Sequence, residues 1–131
     1  MELTSRKNET VRHLKKLGED RKYRLERGEF LLEGTKLLTE AVKNGLIIRE
    51  TVYCGERPAE LPPSVFAYSA PRNIIEYIST QKTPQNVIFS ASIPKMGGSP
   101  ELSGTVILEN IQDPGNLGTM LRTANAFGIK N

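Results

Sequence analysis

The sequence predicts an α/β fold in which helices cover a mostly parallel sheet. Segments typical of strands alternate along the chain with segments whose apolar residues recur at helical spacing. Hydrophobic residues make up 37% and charged residues 25% of the chain, the balance of an ordinary soluble fold. A chain of 131 residues has room for one complete domain and part of a second.

The first thirty residues predict two helices. Asn8 is of a residue type that caps helix N-termini, and the spacing of Val11, Leu14 and Leu17 places their side chains on one apolar face. Gly18 is expected to end this helix, before a second helical segment that runs through Leu25. The outer faces of both helices are basic.

Strand-like and helical segments then alternate up to residue 92. The strand-like segments are EFLLEG (29–34, expected to be buried), IIRETVYC (47–54), VFAYS (65–69) and NVIFSAS (86–92). The helical segments are GTKLLTEAVKNG (34–45), with Leu37, Leu38, Ala41 and Val42 inward and Gly45 past its end, and PRNIIEYIST (71–80), with Pro71 near its first turn.

A change of composition divides the chain after residue 92. Prolines and glycines break any periodicity over 93–104, which predicts a linker at 93–103. A second α/β unit is expected over 104–131, with an apolar strand (TVILEN), a tight turn (IQDPGN) and a helix (LGTMLRTANAFG) that Gly128 ends. The helix is expected to turn Leu117, Met120, Leu121, Ala124 and Phe127 toward a core. One strand and one helix cannot bury these surfaces, so this unit is expected to be incomplete.

Positive charge is concentrated at the N-terminus. Residues 1–30 hold nine of the 18 Lys and Arg residues but six of the 15 acidic ones. The nine are Arg6, Lys7, Arg12, Lys15, Lys16, Arg21, Lys22, Arg24 and Arg27. Such a cluster can neutralise nucleic-acid phosphates and release their counterions. The alternative is a solvated helix surface on which interleaved acids pair with the bases.

Several function classes are disfavoured by the composition. Cys54 is the only cysteine and His13 the only histidine, so neither an intramolecular disulfide nor a cysteine-rich zinc site is possible, and catalytic thiol chemistry and a metal site are not expected. The sequence has no apolar run near the roughly 20 residues of a membrane span, and its N-terminus lacks the pattern of a secretory signal. We therefore expect a cytoplasmic protein without membrane contact.

The turn before the last helix is the strongest candidate for chemistry. Polar residues between a strand and a helix lie at the edge where open α/β sheets bind ligands. Asn116 is expected to cap the helix, and the free amides of its first turn can attract phosphate. Arg122, six positions later, can reach back to the loop and present a planar, charged fork to an RNA phosphate. The alternative is a routine turn in which Arg122 forms a surface ion pair.

The ordered string ILENIQDPGNLGTMLRTANAFG (107–128) resembles motif 1 of the SpoU/TrmH branch of the SPOUT RNA 2'-O-methyltransferases. The segments SRKNETVRHLKKL (5–17) and KYRLERGEFLLEGTKLL (22–38) resemble the substrate-binding domain of the same family. The resemblance implies a small ribosomal-protein-like α/β RNA substrate-binding domain at 1–92, the linker at 93–103, and the first strand–helix unit of a trefoil-knot SPOUT methyltransferase domain at 104–131.

This resemblance implies methyl transfer from S-adenosylmethionine to a ribose 2'-hydroxyl of rRNA or tRNA by a homodimeric enzyme. Arg122 matches the catalytic arginine and Asn116 the asparagine that supports it. Glu109, Asp113, Gly118 and Thr123 lie at or beside motif positions, where a structural role stays equally open.

The two later motifs that hold the cofactor are absent from residues 1–131, so the chain alone is expected to be inactive. The RNA-binding set is taken as Arg6, Lys7, Arg12, Lys15, Lys16, Arg21, Lys22 and Arg24. Two alternatives stay open. The first is a non-catalytic RNA-binding module, and the second is a phosphate- or nucleotide-binding protein that uses the helix start at Asn116.

Overall fold

The computed structural model describes residues 2–95 and 104–129. Contacts divide the chain into two compact units, Met1–Pro94 and Lys95–Asn131. The first unit carries a four-stranded sheet with helices, and residues 104–129 of the second carry one helix preceded by irregular chain. The mixed α/β class predicted from the sequence is confirmed.

Two consecutive helices, α1 (Glu9–Glu19) and α2 (Arg21–Arg27), open the first unit. Asn8 caps α1, because its side chain accepts hydrogen bonds from the amides of Thr10 and Val11. The prediction that Gly18 ends this helix is wrong, since α1 continues to Glu19. Gly18 instead allows close packing: a Cβ there would lie 2.7 Å from the Thr80 methyl carbon.

The remaining elements of this unit follow the predicted order with shorter bounds. They are β1 (Glu29–Glu33), α3 (Thr35–Lys43), β2 (Ile48–Tyr53), β3 (Tyr68–Ser69), α4 (Arg72–Ile78) and β4 (Val87–Ser92). The prediction that β1 is buried is wrong, because this strand lies at one edge of the sheet and is partly exposed throughout.

The prediction of a mostly parallel sheet is wrong. The strands lie in the order β1-β4-β2-β3, with β4 antiparallel to both β1 and β2 and only β2 and β3 parallel. Tyr53, at the end of β2, pairs with Ser69 at the end of β3 and with Val87 at the start of β4. The connection through α4 and residues 79–86 therefore begins and finishes at the same end of the strands, the end at which β3 stops. A parallel pairing would have required the connection to carry the chain to the opposite end of the strands.

The central strand β4 contributes to a core on each face of the sheet. Ile88 packs against the buried residues of α1 and α4, whereas its neighbours Val87 and Phe89 pack against α3. This alternation follows from the two-residue period of a strand. The buried residues of α1 are Val11, Leu14 and Leu17, as predicted.

Helix α3 buries a narrower face than its sequence predicts. Leu38 and Ala41 are buried and Val42 is partly buried, but Leu37 is 47% exposed. Adjacent helical residues point about 100° apart, and with Leu38 and Ala41 directed at the core Leu37 lies on the solvent side of α3. Leu37 is therefore a correction to the predicted inward set.

The second unit contains α5 (Pro114–Ala126). The prediction of a strand over residues 105–110 is wrong: these residues have no regular secondary structure, and Ile107 is 82% exposed. A strand needs a neighbour to pair its backbone groups, and the described residues of this unit contain none.

Helix α5 also departs from its prediction. Its predicted core positions do not face a core formed by the described residues of this unit; Phe127, for example, is 81% exposed. The predicted stop is confirmed, since Gly128 adopts a left-handed conformation with φ of 72°. Most of the predicted linker lies outside the described residues.

Candidate functional site

The N-terminal cations differ in how far their charge is already compensated. Lys15 and Lys22 form ion pairs with Glu19 and Glu26 at 2.9 and 3.7 Å. The Arg24 guanidinium donates to the carbonyl of Leu17 at 2.8 Å. Arg24 therefore stabilises the C-terminal end of α1, a structural role that the charge count did not predict.

Two tyrosine rings each lie close to two of the N-terminal cations. Arg6 and Lys15 lie 4.7 and 5.3 Å from the ring centre of Tyr77. Lys16 and Arg27 lie 4.4 and 5.7 Å from the ring centre of Tyr23. The remaining members of the predicted RNA-binding set, Lys7, Arg12 and Arg21, have exposed side chains that form no ion pair with any described residue.

Asp20 joins the two basic helices. Its side chain accepts a hydrogen bond from the Tyr23 amide at 3.0 Å and so caps α2. This hydrogen bond, more than the nearby Lys16 and Arg24 charges, lowers the pKa of the Asp20 carboxyl from its usual value. The capping stability is therefore present above the ordinary carboxyl pKa and lost as pH falls through the lowered one.

His13 takes part in a hydrogen-bond network that sequence reasoning missed. Its Nδ1 lies 2.9 Å from the Tyr23 hydroxyl and its Nε2 lies 3.1 Å from Oε2 of Glu29. Ser90 of β4 donates to the same Glu29 oxygen at 2.9 Å. The network links α1, α2, β1 and β4, and a lone histidine in a basic segment gives no sequence signal for such long-range partners.

The turn before α5 is capped by Asp113. Its Oδ1 accepts from the amide of Asn116 at 2.7 Å, and Pro114 occupies the first helical turn. The prediction that Asn116 caps the helix is therefore wrong, because the helix begins two residues before it. The Asn116 side chain makes no hydrogen bond within residues 104–129.

Arg122 folds back along α5 toward its N-terminus. Its Nη2 donates to Oγ1 of Thr119 at 3.2 Å, and Thr119 donates to the carbonyl of Gly115 at 3.0 Å. A Cβ at Gly118 would lie 3.1 Å from Nη1 of Arg122, so the absence of a side chain there leaves room for the guanidinium. The guanidinium thus points toward the N-terminal end of α5, the direction predicted from the sequence spacing, and its contacts are with Thr119 and Gly118 of the helix itself.

The described part of the chain contains neither a cluster of metal-binding side chains nor a membrane-spanning helix. Residues 2–95 and 104–129 contain no group of three His, Cys, Asp or Glu side chains that could hold a metal ion. The helices over the same ranges are all too short or too polar to cross a bilayer.

Residues 8–88 match the family described as the MRM3-like substrate binding domain. The chain belongs to this family. The 23S rRNA (guanosine(2553)-2'-O)-methyltransferase RlmP of Bacillus subtilis is 32% identical over 132 residues, which cover 98% of this chain and 52% of the relative. The mitochondrial rRNA methyltransferase 3 of Mus musculus is 32% identical over 121 residues, 82% of this chain and 29% of the relative.

Solved structures show the same relationship for this MRM3-like chain. A crystal structure of an RNA 2'-O ribose methyltransferase has a TM-score of 0.71 and 27% identity, and the match covers 96% of this chain and 52% of the other. An AdoMet-bound rRNA methyltransferase from Sinorhizobium meliloti has a TM-score of 0.67 and 29% identity over 96% of this chain and 51% of the other. The predicted relationship to SpoU/TrmH methyltransferases is confirmed, and the chain spans about half the length of the bacterial relatives it matches.

Proposed function

We propose that this chain is the N-terminal portion of an RNA ribose 2'-O-methyltransferase that acts on rRNA or tRNA. Residues 1–92 bind the RNA substrate, 93–103 link the domains, and 104–131 begin the methyltransferase domain. The observation that carries the proposal is the guanidinium of Arg122, held over Gly118 and beside Thr119, within the motif that the family resemblance assigns to catalysis.

Arg122 is proposed to activate the ribose hydroxyl through electrostatics. A 2'-hydroxyl is a poor nucleophile at neutral pH and must be oriented and relieved of its proton. A guanidinium stays charged in proteins, so it serves best by binding an RNA phosphate that takes the proton or by stabilising the developing oxyanion. Asn116, at the start of the same helix, is proposed to support this arrangement.

S-adenosylmethionine is the proposed methyl donor, supported by the AdoMet-bound neighbour structure. The described residues of the second unit do not fit this cofactor by themselves. They form one helix and an irregular segment with exposed apolar side chains, whereas a cofactor pocket needs walls on several sides. We therefore propose that this chain alone is inactive. From the family resemblance, we also propose that the whole protein is a cytoplasmic homodimer.

RNA binding is proposed to rest on the basic set named from the sequence, and this chain can be tested for it directly. We expect its affinity for RNA to fall steeply with salt, because each duplex phosphate contact contributes about 0.9 to the log–log slope. Neutralising Arg21 and Lys22 with Gln should lower the slope by up to about 2. Arg24 is left intact because it holds the end of α1.

Fluorescence anisotropy with a labelled RNA hairpin over a salt series measures this slope. Thermal unfolding of the double variant serves as the folding control. An affinity independent of salt and of both substitutions would contradict RNA binding by this surface.

Thr119 is expected to position Arg122. In a full-length protein that carries this sequence, Thr119→Val removes the hydroxyl that accepts from Arg122 and should lower kcat about tenfold, the equivalent of one charge-assisted hydrogen bond. Thr119→Ser keeps the hydroxyl and should restore most of the rate. Both variants are measured by methyl transfer, with KM for RNA determined separately from kcat.

The double variant Thr119→Val with Arg122→Ala separates positioning from general damage. If Thr119 acts through Arg122, the Val substitution has no further effect in the Ala background. Additive losses, or a failure of Thr119→Ser to restore the rate, would count against this role.

A further inference from the structure

A groove of about 670 Å³ lies beside α1, α2, β1 and β2 and is lined by Tyr23. We call it the Tyr23 groove. Four cations line it: Arg12 and Lys16 from α1, Arg27 from α2, and Arg49 from β2. Arg12 and Lys16 are four positions apart and share one face of their helix. Arg49 is more than twenty residues from the other three in sequence, so only the fold brings this fourth charge to the same place.

The charges of these four cations are not compensated by ion pairs. None of them lies within 4.0 Å of a carboxylate among the described residues, in contrast to Lys15 and Lys22. Lys16 and Arg27 are held over the Tyr23 ring, and the Nε of Arg49 donates to Oγ of Ser92 at 2.8 Å. Neutral partners therefore hold three of the four cations without cancelling their charge.

Two carboxylates of the groove lie within hydrogen-bond distance of neighbouring side chains of the chain itself. Glu29 lies within hydrogen-bond distance of Ser90 and His13, and the Thr10 hydroxyl donates to Glu50 at 3.4 Å. With Glu9 the groove holds three carboxylates against four cations. A partner that fits such a surface carries both anionic groups and hydrogen-bond donors, a combination that the phosphates and ribose hydroxyls of RNA provide.

We infer that the Tyr23 groove binds the sugar–phosphate backbone of RNA, with Arg12, Lys16, Arg27 and Arg49 on the phosphates. The inference rests on the proposed RNA-binding function and adds Arg27 and Arg49, which lie outside the basic set proposed from the sequence. The contacts of His13 with the Tyr23 hydroxyl and the Glu29 carboxylate fix α1 and α2 against the sheet and thereby set the spacing of the cations. A preorganised spacing lowers the entropy cost of binding.

The test compares two triple variants of this chain with the same loss of charge. One carries Arg12→Gln, Lys16→Gln and Arg49→Gln in the groove. The control carries Lys36→Gln, Lys43→Gln and Lys82→Gln, which are exposed and lie outside it. Binding of a labelled mixed-sequence RNA hairpin, of DNA of the same sequence and of polyglutamate is measured by anisotropy over a salt series.

The groove variant should bind RNA about tenfold or more weakly and lose about two to three units of salt slope, whereas the control should change affinity less than about twofold. Equal losses in the two variants would overturn the groove assignment while leaving RNA binding intact. No salt-dependent RNA binding by the unaltered chain would overturn the proposed function itself. Polyglutamate bound as tightly as RNA would overturn the assignment to nucleic acid. DNA bound as tightly as RNA would overturn the part of the inference that gives the ribose hydroxyls a role in binding.

Arg49 alone gives a second measurement in case the groove variant unfolds. Arg49→Gln should reduce the slope by about one, and Arg49→Lys should keep it because the charge remains. A slope unchanged by Arg49→Gln in a folded chain would overturn the role of Arg49.

Discussion

Replacing Arg122 with Ala in a full-length protein that carries this sequence is expected to slow methyl transfer by about two orders of magnitude or more. This is the usual scale for losing a positioned acid–base or electrostatic group. Folding stability should hardly change, because the guanidinium is exposed and, among residues 104–129, hydrogen-bonds only to Thr119. Single-turnover methyl transfer at saturating RNA and cofactor measures the chemical step apart from binding.

Two further variants make the Arg122 result specific. Arg122→Lys keeps the charge but loses the planar fork, so a substantial loss with Lys would indicate bidentate phosphate binding. Lys36→Ala removes a comparable exposed charge from α3 and should leave the rate near normal. Near-normal single-turnover rates for Arg122→Ala would refute catalysis by Arg122 and favour the alternative in which this arginine is only a surface group.

Local features of the structure could be read from the sequence. The cap at Asn8 and the inward face of α1 follow from the chemistry of one side chain and from the spacing of apolar residues. The reach of Arg122 along α5 follows from the direction in which helical side chains point. Each of these depends on neighbours within about two helical turns, which is the range over which a sequence pattern carries information.

Features that depend on distant partners could not be read in this way. The direction of β4 is set by the return of residues 79–86 to the end of β3, and nothing within β4 encodes it. Gly18 looks like a helix stop from its residue type alone. Its actual role, close packing against Thr80, depends on a residue more than sixty positions away. Arg49 lines the Tyr23 groove because the folded chain places β2 beside α1, and no local sequence pattern indicates this. The apolar segment at 105–110 looks like a strand but has no paired neighbour in the described part of its unit.

Leu14→Ala is expected to destabilise the first unit by about 3 kcal/mol or more, within the range of buried Leu→Ala substitutions. The Leu14 side chain is fully buried in the core that α1 shares with α4 and the sheet, so truncation removes apolar contacts and leaves a cavity. For a unit of this size the loss corresponds to a fall in Tm of roughly 10–20 °C. Thermal and urea unfolding, followed by circular dichroism, measure both quantities.

Leu25→Ala is a matched control, because Leu25 lies on the neighbouring helix α2 and is 62% exposed. The same change of side chain should alter stability by no more than about 0.5 kcal/mol there. Equal effects at the two positions would mean that α1 does not pack as the structure has it. Helix α1 also carries Arg12 and Lys16, but Leu14 itself is buried and does not line the Tyr23 groove. Leu14→Ala should therefore weaken RNA binding only as far as it unfolds the chain. The affinity per folded molecule, measured well below Tm, should stay unchanged.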